Sequence, residues 1–121
     1  MFRIQKTVHI AAAHRLVHVP RWHKCRHLHG HNYTVVVTLS CAQLQEPYEW
    51  VVDFNFISGI VKQYDHVNLD TMPQFSRRET TAENFCYVLW REISAKLPRG
   101  VKVEAVRVYE TEDSWAEYTP D

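Results

Sequence analysis

Histidine is the residue type with the clearest chemical potential in this sequence of 121 residues. Neutral imidazole is a very common metal ligand, and it is the usual side chain for proton transfer near neutral pH. Of the eight histidines, most are crowded into residues 14–31: His14, His18, His23, His27, His29 and His31. This crowding indicates a metal site or a proton-transfer site near the start of the chain.

The segment His29-Gly30-His31 has the spacing of two ligands to one metal ion. On an extended chain, residues two apart leave the same face about 6–7 Å from each other. A third histidine, His14, ends the first predicted strand, and a long connection can bring it beside this pair. Three histidines without a fourth protein ligand leave an open position, which is typical of catalytic zinc. Ordinary polar surface residues are the alternative interpretation.

Cys25 is the candidate nucleophile or base. Residues 14–31 contain no acid, and cations lower the pKa of a thiol. The cations of this stretch are Arg15, Arg21, Lys24 and Arg26. A lone cysteine is more often a small buried apolar residue, and that interpretation suits Cys86, which lies on the apolar stripe of a predicted helix.

Two further positions carry candidate acid or base groups. In Asp65-His66, the carboxylate can fix the imidazole tautomer and form a proton relay. Glu110 ends a predicted strand on the same face as Val106 and Val108, where an acid needs a partner. Both features also occur on ordinary protein surfaces, so alone each is weak evidence of function.

The periodicity predicts the elements that must position these residues. Strands are predicted at residues 2–12, 31–41, 101–110 and 115–119, and residues 13–30 form a long connection. One helix begins after an Asp53 N-cap, and a second follows a capping box, Thr80-Thr81-Ala82-Glu83. The predicted fold is α+β, in the order ββααββ. It has a four-stranded antiparallel sheet with two helices on one face and forms a single domain of residues 1–121.

Two details of this sheet stay open. The apolar residues of 101–110 change face near Ala105, which indicates either a β-bulge or a strand covered on both faces. An open sheet also leaves unpaired edges, and these favour self-association.

Composition excludes several classes of protein. The 14 basic and 14 acidic residues give no net charge, which argues against a nucleic-acid binder. No apolar segment is long enough to cross a bilayer, and the first residues do not resemble a signal peptide. Three cysteines without CxxC spacing exclude a disulfide scaffold and predict a cytoplasmic protein.

Ordered blocks along the whole chain resemble the 6-pyruvoyltetrahydropterin synthase family, most closely its bacterial 6-carboxytetrahydropterin synthase branch. The blocks are Ala12-Ala13-His14-Arg15-Leu16, Cys25-Arg26-His27-Leu28-His29-Gly30-His31-Asn32, Val52-Asp53-Phe54, Asp65-His66 with Leu69, Thr81-Ala82-Glu83-Asn84 and Tyr109-Glu110-Thr111. The short gap between Cys25 and the His-Gly-His triplet resembles the carboxy-forming branch, because pyruvoyl-forming animal enzymes place the cysteine farther ahead. The chain departs from the family pattern at Tyr64, Asp70 and Thr80, which is expected to affect only details of substrate fit.

The resemblance implies a role for each matching residue. His14, His29 and His31 would bind one Zn²⁺ per subunit, and Cys25 would be the general base. Asp65 and His66 would form the relay, Glu110 would anchor a pterin ring, and Thr81 and Glu83 would lie near it. The implied tunnelling fold closes its barrel as a trimer and stacks two trimers into a homohexamer, with active sites between subunits.

The activity implied is that of a zinc-dependent lyase of queuosine biosynthesis. It would convert 7,8-dihydroneopterin triphosphate and water to 6-carboxytetrahydropterin, acetaldehyde and triphosphate. The four cations of residues 14–31 would suit the triphosphate. Two alternatives stay open: a pyruvoyl-forming synthase that eliminates triphosphate without carbon–carbon cleavage, and a non-catalytic module that binds zinc or pterin.

Overall fold

The computed structural model describes residues 1–121 and has the α+β architecture that the sequence predicts. Its strands are β1 (Phe2–His14), β2 (His29–Cys41), β3 (Val67–Asn68), β4 (Val101–Thr111) and β5 (Ser114–Tyr118). Its helices are α1 (Phe54–Val61) and α2 (Ala82–Lys96). Short 3-10 turns occupy Lys24–Arg26, Lys62–Tyr64, Leu69–Thr71 and Pro73–Phe75. No helix is long and apolar enough to cross a membrane.

The sheet has five strands in the order β3-β1-β2-β4-β5, one more than the predicted four. The additional strand, β3, is two residues long and pairs in parallel with β1, whereas the other pairings are antiparallel. Its neighbours hold it in place, because Asp65 accepts a hydrogen bond from the Ala11 N–H and the His66 N–H donates to the Ala11 carbonyl. The prediction missed β3 because two residues are too short for a periodic pattern.

The core lies between one face of the sheet and the two helices. α1 packs against β1, and α2 packs against β4 and β5. The alternating inward residues of β1 and β2 are buried, as are the apolar residues of α2. The predicted amphipathic pattern is therefore confirmed for these elements.

A register shift in the β2–β4 pairing resolves the change of face near Ala105. Thr38 pairs with Ala105, but the next residue of β2, Leu39, pairs with Val103. Glu104 is the additional residue of the bulge, and its carboxylate accepts a hydrogen bond from the Ser40 hydroxyl at 2.5 Å. The bulge lets Val103 and Val106 both point into the core.

The two helix starts were predicted with unequal accuracy. Asp53 is the N-cap of α1, as predicted, and accepts from the Asn55 N–H at 2.9 Å. The N-cap of α2 is Thr81 and not Thr80, so the predicted box with Glu83 does not form. Thr81 accepts from the Asn84 N–H at 3.1 Å, while Thr80 is buried behind the helix start.

Candidate metal and active site

The predicted trio of histidines is brought together by strand pairing. β1 ends at His14, as expected, and β2 begins at His29, so both strands extend into the predicted connection of residues 13–30. His14 and His29 are direct partners in the antiparallel register, and His31 follows on the same face of β2. One potential ligand atom from each imidazole lies within 4.8 Å of the others. The sheet register therefore builds this cluster.

Backbone carbonyls fix the orientation of two of these imidazoles. Nδ1 of His14 lies 2.6 Å from the Thr80 carbonyl oxygen, and Nδ1 of His29 lies 2.7 Å from the His27 carbonyl oxygen. A carbonyl only accepts, so each Nδ1 carries a proton, and in the neutral ring Nε2 is then the nitrogen with the free lone pair. This is the arrangement by which proteins orient histidine ligands of a metal.

The donor set fits a divalent metal ion. Nε2 of His14 and Nε2 of His31 are buried without a hydrogen-bond partner, and buried polar atoms rarely stay unpaired. Burial lowers the pKa of His31, the neighbouring imidazoles lower it further, and Glu110 opposes them. Its neutral form is the one that binds metals. Three imidazoles are a zinc-binding set that leaves one position open.

Glu110, at the end of β4, faces the cluster. Its two carboxylate oxygens each lie 3.8 Å from an imidazole nitrogen, Oε2 from Nε2 of His14 and Oε1 from Nε2 of His31. The side chain is 32 % exposed, so it reaches both the cluster and the solvent beside it. A carboxylate acceptor is therefore available to a ligand bound next to the histidines.

A cavity of about 360 Å³ joins most of the predicted site residues. His14, Cys25, Thr81, Glu83 and Glu110 line it. The sequence interpretation missed other lining residues, among them Leu16, Ser114, Trp115 and Ala116. The centroid of the half-exposed Trp115 ring lies 3.8 Å from the Arg107 guanidinium carbon, and an aromatic residue shortly after the Glu110 strand was the available signal.

Cys25 is half-buried and sits in a single 3-10 turn of the connection between β1 and β2. The imidazole of His23 caps this turn, because its Nδ1 accepts from the Cys25 N–H at 3.1 Å. The Leu16 N–H donates to the Cys25 carbonyl at 2.7 Å. Two local contacts and a short turn thus place the thiol at the cavity.

Arg26 braces the same connection. Its Nη1 donates to the carbonyls of Val17 and Val19 at 2.5 and 2.9 Å. The sequence grouped Arg26 with the cations available to a triphosphate. The structure instead engages its guanidinium with backbone carbonyls, which makes it a structural clamp.

Glu79 ties the other side of the connection to the start of α2. Its carboxylate accepts from the N–H groups of Val17 and His18 at distances between 2.9 and 3.2 Å. Burial by itself raises the pKa of Glu79, but these N–H donors and the adjacent His18 imidazole outweigh it and lower the pKa below its ordinary value.

The Asp65–His66 pair forms as predicted but stands apart from Cys25. Oδ1 of Asp65 lies 3.0 Å from Nδ1 of His66. The pKa of Asp65 is lowered chiefly by the hydrogen bond from the Ala11 N–H, and contact with His66 adds to this effect. His66 is 82 % exposed, and it lines a separate cavity of about 440 Å³ beside edge strand β3. One chain does not bring the thiol and this imidazole into one cavity.

His66 also has an unusual backbone conformation, with φ of 59°. Non-glycine residues adopt this region seldom, and such residues cluster at functional sites.

The three residues that depart from the family pattern, Tyr64, Asp70 and Thr80, each make a hydrogen bond to another side chain. Asp70 and Thr80 touch each other, since the Thr80 hydroxyl lies 2.9 Å from Oδ1 of Asp70. Tyr64 is buried, and its hydroxyl donates to Glu92, whose pKa is raised by burial. None of these side chains lines the cavity of Cys25.

The chain is similar in sequence to proteins named as pterin synthases. The chain is 34 % identical over 111 residues to an Archaeoglobus fulgidus protein named putative 6-carboxy-5,6,7,8-tetrahydropterin synthase, covering 88 % of this chain and 86 % of that one. It is 29 % identical to human 6-pyruvoyl tetrahydrobiopterin synthase, covering 96 % and 90 % of the two chains.

Solved structures share the fold. The Caenorhabditis elegans 6-pyruvoyl tetrahydropterin synthase superposes with a TM-score of 0.80 at 23 % identity, covering 99 % of this chain and 96 % of that chain. The family model described as 6-pyruvoyl tetrahydropterin synthase matches residues 3–121. The chain therefore belongs to the 6-pyruvoyl tetrahydropterin synthase family, and its fold is the tunnelling fold of that family.

Proposed function

We propose that this protein is a 6-carboxytetrahydropterin synthase. It takes 7,8-dihydroneopterin triphosphate and water and releases 6-carboxytetrahydropterin, acetaldehyde and triphosphate. The observation that carries the proposal is the cavity that joins a histidine of the cluster, Glu110 and Cys25. It offers a metal ligand, an acceptor for ring N–H groups and a proton acceptor in one place.

His14, His29 and His31 are the residues that would hold one zinc ion per subunit. Zinc bound there would supply Lewis acidity, which would make the carbon-bound protons next to the side-chain oxygens of the substrate more acidic. The chain supports this role with two Nδ1–carbonyl contacts that leave the Nε2 lone pairs directed at the cluster.

Glu110 binds and orients the pterin ring. Its carboxylate is partly exposed in the cavity and can accept two N–H donors from the ring. Thr81 and Glu83 stand at the start of α2 on the same cavity and lie near the ring.

Cys25 removes a proton from the substrate side chain, and His66 with Asp65 moves a proton on the opposite side. Because His66 lines a different cavity from Cys25, we propose that the complete site combines Cys25 of one subunit with the relay of another. Two uncovered sheet edges, β3 and β5, support assembly into trimers that close a barrel and pair as a homohexamer. Sedimentation tests this assembly, and a stable monomer at micromolar concentration would contradict it.

The carboxy-forming reaction is preferred over the pyruvoyl-forming one. The short gap between Cys25 and the His-Gly-His triplet favours it, and so do the names of the relatives from Archaeoglobus fulgidus and Rickettsia typhi. The human relative is named for the pyruvoyl reaction, which is therefore the second candidate. We place the activity in queuosine biosynthesis and, because the three cysteines are free, in the cytoplasm.

The deciding experiment is incubation of the zinc-loaded protein with 7,8-dihydroneopterin triphosphate and identification of the products by mass. Acetaldehyde and a carboxylated pterin are expected. Triphosphate release without acetaldehyde would establish the pyruvoyl reaction instead. Binding of the pterin without any product would favour the non-catalytic alternative.

A further inference from the structure

We propose that Asp70 is a positioning residue for the metal ligand His14 and that it acts through Thr80. The inference rests on the metal site of the proposed function, since it assigns to Asp70 the task of holding one ligand of that site. Asp70 lies outside the cavity of Cys25 and Glu110, so it has no place in the substrate contacts proposed above.

A continuous set of hydrogen bonds leads from Asp70 to His14. Oδ1 of Asp70 lies 2.9 Å from the Thr80 hydroxyl, and the carbonyl of Thr80 lies 2.6 Å from Nδ1 of His14. Oδ2 of Asp70 accepts from the Arg15 N–H at 3.0 Å. The carboxylate therefore holds both the residue that follows His14 and the residue whose carbonyl orients its imidazole.

Because His14 and Thr80 are buried, Nδ1 of His14 has no acceptor other than the Thr80 carbonyl. His14 and Thr80 are each only 2 % exposed, so water cannot replace the carbonyl that accepts from Nδ1. If the peptide group of Thr80 rotates, Nδ1 of His14 loses its carbonyl acceptor. The preference of the imidazole for the Nδ1–H tautomer is then lost. A fraction of the molecules would then carry the proton on Nε2, which cannot bind a metal in that form. Losing such an indirect partner typically reduces metal affinity about 10–100-fold.

A backbone hydrogen bond anchors Asp70, and a further contact joins its two partners. Its N–H donates to Oδ1 of Asn68 at 3.0 Å, within the turn that follows β3. The Thr80 hydroxyl also lies 3.2 Å from the Arg15 carbonyl, which gives its proton a second possible acceptor. Asp70 thus links the edge of the sheet, the end of β1 and the start of α2 at one point behind His14.

The geometry distinguishes two substitutions of Asp70. In Asp70→Ala both carboxylate acceptors are lost, so the Arg15 N–H loses its partner and Thr80 keeps only the longer contact of its hydroxyl with the Arg15 carbonyl, at 3.2 Å. In Asp70→Asn the amide oxygen can still accept from the Arg15 N–H, and the amide NH₂ can donate to the Thr80 oxygen. The Thr80 proton then turns to the Arg15 carbonyl. If Asp70 acts by positioning, Asp70→Asn should therefore largely keep the zinc affinity and the His14 tautomer of the wild type, and Asp70→Ala should not.

Zinc affinity, measured by competition with a chelator at neutral pH, is the first readout. Asp70→Ala and Thr80→Val are each expected to raise the Kd for zinc about 10–100-fold. The double variant should lose little more than the larger single effect, because both act on one contact. Asp70→Asn and Thr80→Ser should stay within about threefold of the wild type.

Thr71→Val is the matched control for Thr80→Val. The Thr71 hydroxyl also donates to a backbone carbonyl, that of Asn68, but it is exposed and makes no contact with His14. Its zinc affinity should equal that of the wild type. If Asp70→Ala does not fold, Thr80→Val carries the same expectation with a smaller structural change.

The second readout does not need a bound metal. The ¹⁵N chemical shifts of the His14 ring in metal-free protein report its tautomer, and the wild type should show Nδ1–H. Asp70→Ala should shift His14 toward a mixture, while His29, whose Nδ1 donates to a different carbonyl, should not change.

The outcomes separate the two claims. A wild-type protein that binds no zinc contradicts the proposed metal site, and the His14 tautomer then decides the positioning role by itself. Unchanged zinc affinity and an unchanged tautomer in Asp70→Ala would overturn the inference. An equal loss in Asp70→Asn and Asp70→Ala would also overturn it, because the effect would then come from charge and not from position.

Discussion

The histidine cluster and the Cys25 connection meet at one cavity, which His14 and Cys25 both line, but the two regions are built by different means. His14 and His29 are direct partners in the long ladder of β1 and β2, which has an uninterrupted register of thirteen pairs. Cys25 sits on one short turn, held by the His23 cap, the Arg26 clamp and the Glu79 carboxylate. The first region is rigid by backbone pairing, whereas the second depends on a few side chains.

This difference predicts that the proposed metal binding and the proposed proton transfer can be altered independently. Replacing a histidine of the cluster removes a metal ligand. Its effect should therefore reach both zinc binding and turnover. A change in the connection should alter the position of Cys25 and leave the zinc site intact. The following predictions test this separation, in order of decreasing effect.

The largest effect is expected for His29→Ala. Removing one of three ligands should abolish stoichiometric zinc binding, and activity should fall by about 10³-fold, since a catalytic metal contributes several kcal/mol of transition-state stabilisation. Metal analysis and turnover measured on one preparation test this. Full zinc stoichiometry in the variant would remove His29 from the site.

Cys25→Ala should separate the two regions most clearly. Turnover should fall by about 10²-fold or more, the usual effect of losing a positioned base, while zinc content and pterin affinity stay close to those of the wild type. Wild-type turnover would mean that this cysteine only packs, and that His66 must carry the proton chemistry.

Glu110→Gln is the counterpart to the cysteine variant. An amide presents a donor where the carboxylate accepts an N–H group, so pterin binding should weaken about tenfold or more while zinc is retained.

In the wild type, alkylation should be faster at half-buried Cys25 than at Cys86, because burial raises the pKa of the Cys86 thiol to about 12.

Arg26→Met should produce a smaller effect that is confined to the connection. The variant keeps the aliphatic stem but loses the two donations to Val17 and Val19. Turnover should fall about tenfold, because Cys25 is less well placed, and zinc affinity should not change. Arg21→Met is the control, since Arg21 is an exposed cation of the same connection. Equal losses in both variants would indicate a charge effect on the triphosphate instead of a clamp.

The smallest effect is an acid-induced loosening of the connection in metal-free protein. Because the pKa of Glu79 is lowered in the folded state, its stabilising contribution is present above its ordinary value of 4.5 and is lost as the pH falls below it. The amide signals of Val17 and His18 should therefore shift together, with a midpoint below pH 4.5. Glu79→Gln should abolish this transition. A midpoint above pH 4.5 would contradict the stabilising contact of the Glu79 carboxylate with the Val17 and His18 N–H groups.

Much of the fold was predictable because its long strands and helices have clear periodicity. The alternation of β1 and β2 and the apolar stripe of α2 gave their positions to within a few residues. The errors lie where a local pattern is ambiguous. Thr80 and Thr81 both satisfy the preference for an N-cap, and only packing buries Thr80 and leaves Thr81 to cap α2.

Residue type and spacing identified the candidate residues. They did not predict how these residues are divided between two cavities. The pairs His29/His31 and Asp65/His66 are close in sequence, and neighbours on a chain stay neighbours in space. The contact of Glu79 with Val17 spans 62 positions, and that of His14 with Thr80 spans 66. No spacing rule predicts such contacts, because they depend on how the connections fold over the sheet.

The sequence by itself determined which groups could do chemistry, since imidazole, thiol and carboxylate properties belong to the residues and the β-strand repeat puts His29 and His31 on one face. Only the tertiary structure decided which of them share a cavity. The register of β1 with β2 sets His14 opposite His29, whereas His66, which directly precedes edge strand β3, lines a different cavity from Cys25. The physical reason is that the chain fixes local geometry through its dihedral preferences, whereas distant groups meet only where backbone pairing and core packing bring their elements together.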